Sequence, residues 1–535
     1  MLTPDPMPPR TTRSRTLALI ALALATSLVH AGTPAVTVRS VGADGVAPSP
    51  ADNDFLRLSQ AVAALTTGVN LRLDGTFDFS EPNAAAAWAL GADASAGTAD
   101  DYSVLVPANV DGVVLEPVAD GAAVIQGPGD LPAANLEGFL VFDGGKNRNW
   151  TIRNLEILDF DLGIGMFFGA GGSDAFDGTR IEGNRIRLPA DLNATVAPAD
   201  VNQNIGIHFA FGRNQRIVGN LIEIPGNGRS DSANNRYASS VGMQSNTSGG
   251  AVYDGLVIAD NIVRVTAAQS DDAERVLGYW ENSHGHLGNV QVSANRFENL
   301  AAGNDPARNR QRGFRVTSHS SASTSVSYAG NRVEGANIGF EWIAGSNFAG
   351  NLPVRMRDNV VIGGGTGLRL QSNGLVDARC NRIAANALGV LADAGTSAAL
   401  QDNWWGCNAG PNAGLCDLVQ GAATPSRWLI LVASAAPASI IEGGTAAVGA
   451  SFPRYSDAAP AACAFADTRV DFVANGGSFA PASAVMPDPL AGAATSWSSG
   501  SFSGTASIQA VVDFETAPAQ VQVLPDRLFE HGFED

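Results

Sequence analysis

The sequence predicts an all-β protein in which a parallel β-helix is followed by a small β-sandwich. The first observation is a recurring apolar–x–x–Asn–x–apolar pattern, and the last two intervals between its asparagines are 22 residues each. These asparagines are Asn154, Asn184, Asn220, Asn261, Asn295, Asn331, Asn359, Asn381 and Asn403. An internal repeat of this length predicts a solenoid of stacked coils.

A second pattern lies between successive asparagines and supplies strands. A glycine is followed by residues that alternate between apolar and polar, as in GIHFA from Gly206 and GLRLQ from Gly367. Alternation with period two predicts strands with one buried face, so each coil holds at least two short strands. We expect the asparagines to adopt the left-handed conformation at corners and to hydrogen-bond to one another along the stack.

Two stretches carry a resemblance to known families. The repeat, together with VTVRSVGADG near the start and NWWGCNAGPNAGLC at 403–416, resembles the right-handed parallel β-helix family, which is pectate lyase-like. The likeness covers roughly Val36 to Gln420. The later run RVDFVANGGSFAP resembles invasin-type immunoglobulin-like domains. The resemblance implies a secreted bacterial protein, and it implies the fold more strongly than any activity.

Pattern changes along the chain predict six regions. A helix with Phe55, Leu58 and Val62 on one face is expected over Asp54–Leu65, where it would cover the first coil. The regions are a signal peptide at 1–31, an N-terminal cap at 32–80, the β-helix at 81–406, an end cap and linker at 407–426, an immunoglobulin-like β-sandwich at 427–525 and a tail at 526–535.

Composition and the N-terminus bear on location and partners. The formal net charge is −19 over 535 residues, which argues against nucleic acid and anionic membranes as partners. Arg10, Arg13 and Arg15 precede an apolar run at 17–29 that is too short to span a membrane, and cleavage is expected after Ala31. The sequence therefore predicts an exported, extracellular protein with no transmembrane segment.

Four cysteines suit an oxidising compartment. We expect Cys407 and Cys416 to pair, with a Cys380–Cys407 bridge as the alternative, and Cys463 to remain free. No metal site is predicted at the cysteines, because no histidine accompanies them at ligand spacing.

A candidate binding face follows from long segments and from strand parity. Four consecutive coils carry insertions before the glycine strand: Arg185–Ile205, Leu221–Val241, Ile262–Leu277 and Arg296–Arg312. Residues two and four after each glycine should point outward. The outward residues are His208, Gln244, Trp280, Arg315, Glu341 and Arg369, followed by Asn246, Asn282, Thr317 and Gln371.

Rungs about 4.8 Å apart would line up six such residues over about 24 Å. A strip of amide, guanidinium, carboxylate and indole groups suits an extended glycan, for example an extracellular polysaccharide or a cell-surface glycan. The alternative is a solvated ladder of charges with no ligand.

Evidence for catalysis is thinner. The N-T-D, G-H-G and R-I-K motifs that the resemblance would imply for polygalacturonase relatives do not occur. Arg315 beside Glu281 and Glu341 is the candidate catalytic set, with His208 as an alternative base. No cofactor is predicted, although an acidic loop at 271–274 makes calcium possible, and His284 with His286 would lack a third metal ligand.

Two functions remain open at this point. The first is glycan binding in adhesion or surface interaction. The second is a polysaccharide lyase or glycoside hydrolase acting in the same groove.

Overall fold

A computed structural model describes most of the chain. The described residues are 34–49, 52–96, 98, 100–129, 138–142, 144–166, 174–189, 203–210, 212–224, 230–231, 236–237, 239–247, 252–266, 275–283, 286–300, 311–316, 326–343, 353–371, 375–421 and 424–526. The predicted signal peptide and nearly all of the predicted tail lie outside these ranges. Among the helices of the described part, none combines the length and apolar character that crossing a membrane requires.

The chain is a right-handed parallel β-helix followed by a small β-sandwich, as predicted. Three parallel sheets form its walls, and we call them sheets A, B and C. Sheet A comprises Ala35–Arg39, Asn70–Asp78, Val114–Pro117, Thr151–Arg153, Arg180–Glu182, Arg216–Val218, Val257–Ala259, Val290–Ser293, Val326–Ala329, Pro353–Arg357, Leu375–Arg379 and Ser397–Ala399. Sheet B takes the second half of Asn70–Asp78, then Ala123–Gln126, Glu156–Leu158, Arg185–Arg187, Leu221–Ile224, Ile262–Val265, Arg296–Asn299, Arg332–Glu334, Val360–Ile362 and Arg382–Ala384.

Sheet C holds the glycine strands that alternation predicted. Its strands are Ser103–Val106, Gly138–Phe142, Leu162–Met166, Gln203–Phe209, Ser239–Thr247, Arg275–Ser283, Gln311–Val316, Ile338–Ile343, Thr366–Gln371, Leu388–Ala392 and Val419–Gln420. Shorter pairings join Gly212–Arg213, Val252–Asp254 and His286–Gly288, and Ser230–Asp231 with Arg236–Tyr237. Each regular coil therefore has three strands, one more than the minimum expected.

A buried file of eight asparagines runs along the corner between sheets A and B. In the first seven, the amide Nδ2 lies 2.9–3.1 Å from the Oδ1 of the asparagine in the next coil. The file, called the Asn ladder below, consists of Asn184, Asn220, Asn261, Asn295, Asn331, Asn359, Asn381 and Asn403, all at most 2% exposed. The predicted stacking and mutual hydrogen bonding are confirmed for these eight.

Two details of that prediction are wrong. The left-handed conformation falls on the residue before each ladder asparagine, for example Gly183 (φ 65°) and Asp260 (φ 56°). Asn154 occupies this preceding position itself, with φ 57°, so Leu155 stands in the ladder position of that coil and its backbone N–H donates to the ladder (Oδ1 of Asn184, 3.1 Å). The physical reason is that the ladder side chain must enter the core at the corner, directly before the strand of sheet B, so the preceding residue makes the bend.

The core fills the space between the three sheets and is closed at its start by helices. The helix Asp54–Ala63 begins where the side chain of Asn53 accepts from the N–H of Leu56 at 2.9 Å, and it buries Phe55 and Leu58. This confirms the helix expected in the cap. A second helix, Pro82–Trp88, buries its tryptophan against the same end.

The C-terminal region forms two packed antiparallel sheets. The first sheet orders Leu429–Ala436, Thr445–Tyr455, Ala493–Ser498 and Ser478–Ala480. The second orders Ser439–Ile441, Glu515–Leu524, Gly504–Val512, Thr468–Ala474 and Ser483–Met486, with one parallel pairing at its first strand. Alternate residues of both sheets face each other around Trp497, as in a β-sandwich.

The sandwich packs directly on the outer face of sheet B. Val360 and Trp404 of the β-helix belong to the same buried cluster as the sandwich core, and the Trp404 ring lies 4.8 Å from that of Phe452. The side chain of Asn408 exchanges two hydrogen bonds with the backbone of Leu431, at 2.7 and 3.0 Å. The core of the sandwich thus extends onto the outer face of sheet B, while the interior of the β-helix forms a separate core.

One of the two disulfides matches the prediction from the sequence, and the other does not. Cys407 pairs with Cys416, as expected. Cys463 was expected to be free, but it pairs with Cys380, 83 residues earlier. The expectation failed because it treated the sandwich as separate, whereas docking brings Cys463 beside the corner residue Cys380 of the β-helix.

Candidate ligand-binding face

The strands of sheet C contain a local irregularity at the glycine that sets which side chains face outward. A Cβ on Gly206 would lie 2.6 Å from the carbonyl oxygen of Gly242 and 2.7 Å from Cγ2 of Ile222 in the core. Position 206 therefore faces inward and has no room for a side chain. Ile207 also faces inward, so Ile205 on one side and His208 on the other both face out.

The predicted outward residues form one line in register. His208, Gln244, Trp280, Arg315, Glu341 and Arg369 are successive Cα partners across sheet C. We call this line the outer strip. Five steps of about 4.8 Å give a length of about 24 Å. The geometric part of the sequence prediction is confirmed, and the binding role stays a prediction.

Side chains of the outer strip are shielded from solvent. His208 and Gln244 are each 3% exposed, Glu341 is 4% and Trp280 is 9%. The side chains of Arg315 and Arg369 are 17% and 20% exposed. A freely solvated ladder of charges would show far larger values, so the side chains of this strip are not freely solvated.

A second outward column was missed from the sequence. Leu162, Ile205, Val241 and Leu277 precede the glycines of successive coils, face outward and are at most 4% exposed. Their signal was present, since an apolar residue stands directly before each of these glycines. In these coils the second column is therefore apolar, and Trp280 of the outer strip lies at the edge of the apolar cluster.

The later coils of the same face are charged. Arg312, which continues the second column, and Arg315 place their Nε atoms 2.5 and 3.2 Å from Oε2 of Glu341. Neither Nε is aligned for a hydrogen bond to that oxygen, so the attraction is Coulombic. The guanidinium carbon of Arg315 also lies 5.8 Å from the Trp280 ring centroid. Arg369 pairs with Asp393 at 2.8 Å.

Glu281 does not belong to this face, which corrects the candidate catalytic set. It is 1% exposed and lies inside the β-helix, where Tyr328 Oη donates to its Oε2 at 3.0 Å. Burial and the nearby Glu281 raise the pKa of Tyr328 well above its usual value, so the phenol keeps the proton that it donates. Glu281 is three residues after Gly278, whereas Arg315 is two residues after Gly313. In alternating strands these two positions face opposite sides, so the two side chains could not have formed one site.

His208 is held as a neutral imidazole. Its Nδ1 donates to the carbonyl oxygen of Met166 at 2.9 Å. Burial lowers the pKa of His208 from 6.5 to about 4. At neutral pH the ring can accept a proton only weakly, which makes it a poor general base in this conformation.

Other candidate residues are only partly described. Asn246 and Asn282 are register partners in sheet C, and Gln371 is half-buried. The described residues leave out Thr317, the acidic loop at 271–274, His284 and much of the four insertions. Within the described residues, no group of three or more His, Cys, Asp or Glu side chains is arranged to hold a metal ion.

Comparisons with known proteins return structural neighbours only. No protein-family model matches the chain, and no curated protein matches it. The adhesin InvE of Yersinia pseudotuberculosis is 25% identical over 18% of this chain, with a TM-score of 0.15, and the match spans 26% of the adhesin. This chain thus covers about a quarter of that protein's length.

Two further neighbours match over larger parts of both chains. An exopolygalacturonase from Thermotoga maritima is 11% identical, with a TM-score of 0.40, over 64% of this chain and 80% of its own. The tailspike protein of Escherichia coli bacteriophage HK620, solved in complex with a pentasaccharide, is 11% identical, with a TM-score of 0.34, over 89% of this chain and 92% of its own. At these identities and TM-scores neither likeness carries an argument about this chain.

Proposed function

We propose that this protein is a secreted or cell-surface protein that binds an extended glycan along the outer face of sheet C. The observation that carries the proposal is the outer strip, in which an imidazole, an amide, an indole, two guanidinium groups and a carboxylate follow one another at a fixed spacing. Tryptophan packs against the apolar face of a sugar ring, and the charged groups hydrogen-bond to hydroxyls or acidic substituents. Adhesion or surface interaction is the role that such binding would serve.

Both signs of charge are present at the strip. Arg312 and Arg315 lie within ion-pair distance of the Glu341 carboxylate, so guanidinium and carboxylate groups meet there. Shielding from water strengthens such charges relative to exposed ones.

Export and the immunoglobulin-like nature of the sandwich are part of the same proposal. Two disulfides join the four cysteines, and disulfides persist in oxidising compartments. The N-terminal sequence has the basic and apolar segments of a signal peptide. The nine strands and two sheets of the sandwich are compatible with an immunoglobulin-like domain.

The decisive test compares a strip variant with a variant on another face. We expect the double substitution Trp280→Ala/Arg315→Ala to abolish retention on a glycan array that includes acidic polysaccharides. Arg185→Ala on sheet B, whose side chain is 47% exposed, should leave retention unchanged. Circular dichroism and the unfolding midpoint must show that both proteins are folded. Unaltered binding by the double variant would reject the strip as the site.

A polysaccharide lyase or glycoside hydrolase is the alternative, because Arg312, Arg315 and Glu341 converge on the same face. The same array glycans, incubated with the protein in solution, would then yield unsaturated products or reducing ends. Binding without either product favours adhesion.

A further inference from the structure

A shallow cavity lies on a different wall of the β-helix, the outer face of sheet A. Its volume is about 220 Å³, and it is lined by Asn289, Val290, Gln291, Ser293, Ser327 and Ala329. Gln291 pairs in register with Ser327, and Ser293 pairs with Ala329, so two adjacent coils form its floor.

Side-chain size along two outward columns explains the cavity. Because the backbones of stacked coils are in register, the size of the side chains decides how far each part of a sheet face protrudes. One column runs Arg180, Arg216, Val257, Gln291, Ser327, Arg355, and the other runs Glu182, Val218, Ala259, Ser293, Ala329, Arg357. The small side chains of Ser293, Ser327 and Ala329 thus lie next to the long side chains of Arg355 and Arg357 in the following coil.

The lining offers neutral hydrogen-bonding groups. Ser293 and Ser327 carry hydroxyls and are half-buried, while the amide of Gln291 is exposed. The amide of Asn289 is oriented, because its Nδ2 donates to Oδ1 of Asp254 at 3.1 Å. No acidic side chain is among the lining residues, although the chain as a whole is strongly acidic.

One cation at the edge is available to a ligand. Arg355 is the register partner of Ser327, is exposed and forms no ion pair with another described residue. Its neighbour Arg357 differs, since its Nη2 lies 2.5 Å from Oδ2 of Asp377. The carboxylate of Asp377, the other register partner of Arg355, pairs with Arg357 and Arg379, so within the described residues the Arg355 guanidinium stays available to an anionic ligand at this edge.

We propose that this cavity is a second carbohydrate site, which holds one sugar unit bearing an acidic group. Hydroxyls of the ring bond to Ser293, Ser327 and Gln291, and the acidic group pairs with Arg355. The proposal rests on the proposed glycan-binding function, but it uses another face of the β-helix and can fail independently of the outer strip.

The experiment measures binding of two small probes, glucuronic acid and glucose, to the full chain by saturation-transfer NMR titration. Ser293→Gln/Ala329→Gln fills the cavity with neutral, outward side chains. Arg355→Gln removes the cation, and Arg216→Gln is the matched control, two coils before Gln291 in the same column. Trp280→Ala/Arg315→Ala removes the outer strip.

We expect the filled variant to lose glucuronic acid binding and Arg355→Gln to weaken it about tenfold, equivalent to about 1.4 kcal/mol. Glucose should bind equally to wild type and Arg355→Gln, and Arg216→Gln should behave as wild type. Binding that persists in the outer-strip variant separates this site from the first. The proposal is overturned if the filled variant binds glucuronic acid as well as the wild type does, or if the wild type does not bind it. Loss of binding only in the outer-strip variant would contradict the second site and leave the proposed glycan-binding function in place.

Discussion

At the scale of single residues, the Asn ladder satisfies backbone and side-chain groups together. Oδ1 of Asn261 accepts from the backbone N–H and from Nδ2 of Asn220, at 3.0 and 2.9 Å. Its own Nδ2 donates to the carbonyl oxygen of Ile217 at 2.8 Å and to Oδ1 of Asn295 at 2.9 Å. Because all these atoms are buried, an unmatched partner has no water to replace the lost bond.

Substitution within the ladder should therefore be costly. Asn261→Ala removes the acceptor of the backbone N–H of Asn220, and we expect the free energy of unfolding to fall by about 2–4 kcal/mol. Asn154→Gly is the control, because Asn154 is outside the ladder and holds a left-handed φ that glycine adopts easily. Urea denaturation measures both, and equal losses in the two variants would refute the role of the ladder.

Burial of His208 makes a prediction about pH. Its pKa is about 4 in the folded chain and 6.5 as the ordinary value. Between these pH values the unfolded chain binds a proton that the folded chain does not, so stability is lost as pH falls from 6.5 towards 4. The full effect is up to about 3 kcal/mol.

The measurement compares urea denaturation at pH 7.5 and pH 4.5 in wild type and in His208→Gln. An amide fits this column, since Gln244 is the register partner of His208. We expect the wild type to lose about 2–3 kcal/mol more than the variant on acidification. Other titrating groups contribute equally to the stability loss of both proteins, so subtracting the two losses removes their effect. They include Asp417, whose pKa burial raises to about 7. Identical losses would show that His208 is not buried as described.

At the scale of elements, the sequence predicts sheet C well and sheets A and B poorly. The strands of sheet C alternate over five or more residues in most coils, which is long enough to show a period. The strands of sheets A and B are often three residues long, such as Arg180–Glu182 and Arg185–Arg187, and only two residues separate them. In the sequence, the two short strands and the turn between them therefore look like a single strand around an asparagine.

Counting alternate residues predicts which face a side chain lies on only where the strand backbone is regular. Counting forward from each glycine placed the outer strip correctly, because the irregularity lies at the glycine itself. Counting backward fails, since Gly206 and Ile207 both face inward and Ile205 then faces out. The apolar outer column does leave a signal in the sequence, the apolar residue before each glycine, but regular alternation assigns it to the wrong face. The shielding of the strip could not be predicted, because it depends on contacts between distant coils.

At the scale of the whole molecule, the two domains behave as one packed body. Asp513 of the sandwich accepts from Arg382 Nη2 at 2.5 Å, and both side chains are 7% exposed. The indole Nε1 of Trp404 donates to the same carboxylate at 2.7 Å. Together with the Cys380–Cys463 bridge, these contacts fix the sandwich on the β-helix, which separate domains joined by a flexible linker would not require.

This arrangement predicts a single calorimetric unfolding transition, because separation of the domains would expose the apolar surface that they bury against each other. Asp513→Ala leaves the buried guanidinium of Arg382 without its partner and should cost about 3–5 kcal/mol. Asp471→Ala is the matched control, since its pair with Arg469 is exposed and should contribute at most about 1 kcal/mol. Two separate transitions in the wild type, or equal effects of the two substitutions, would mean that the domains are stable independently and that the interface does not couple them.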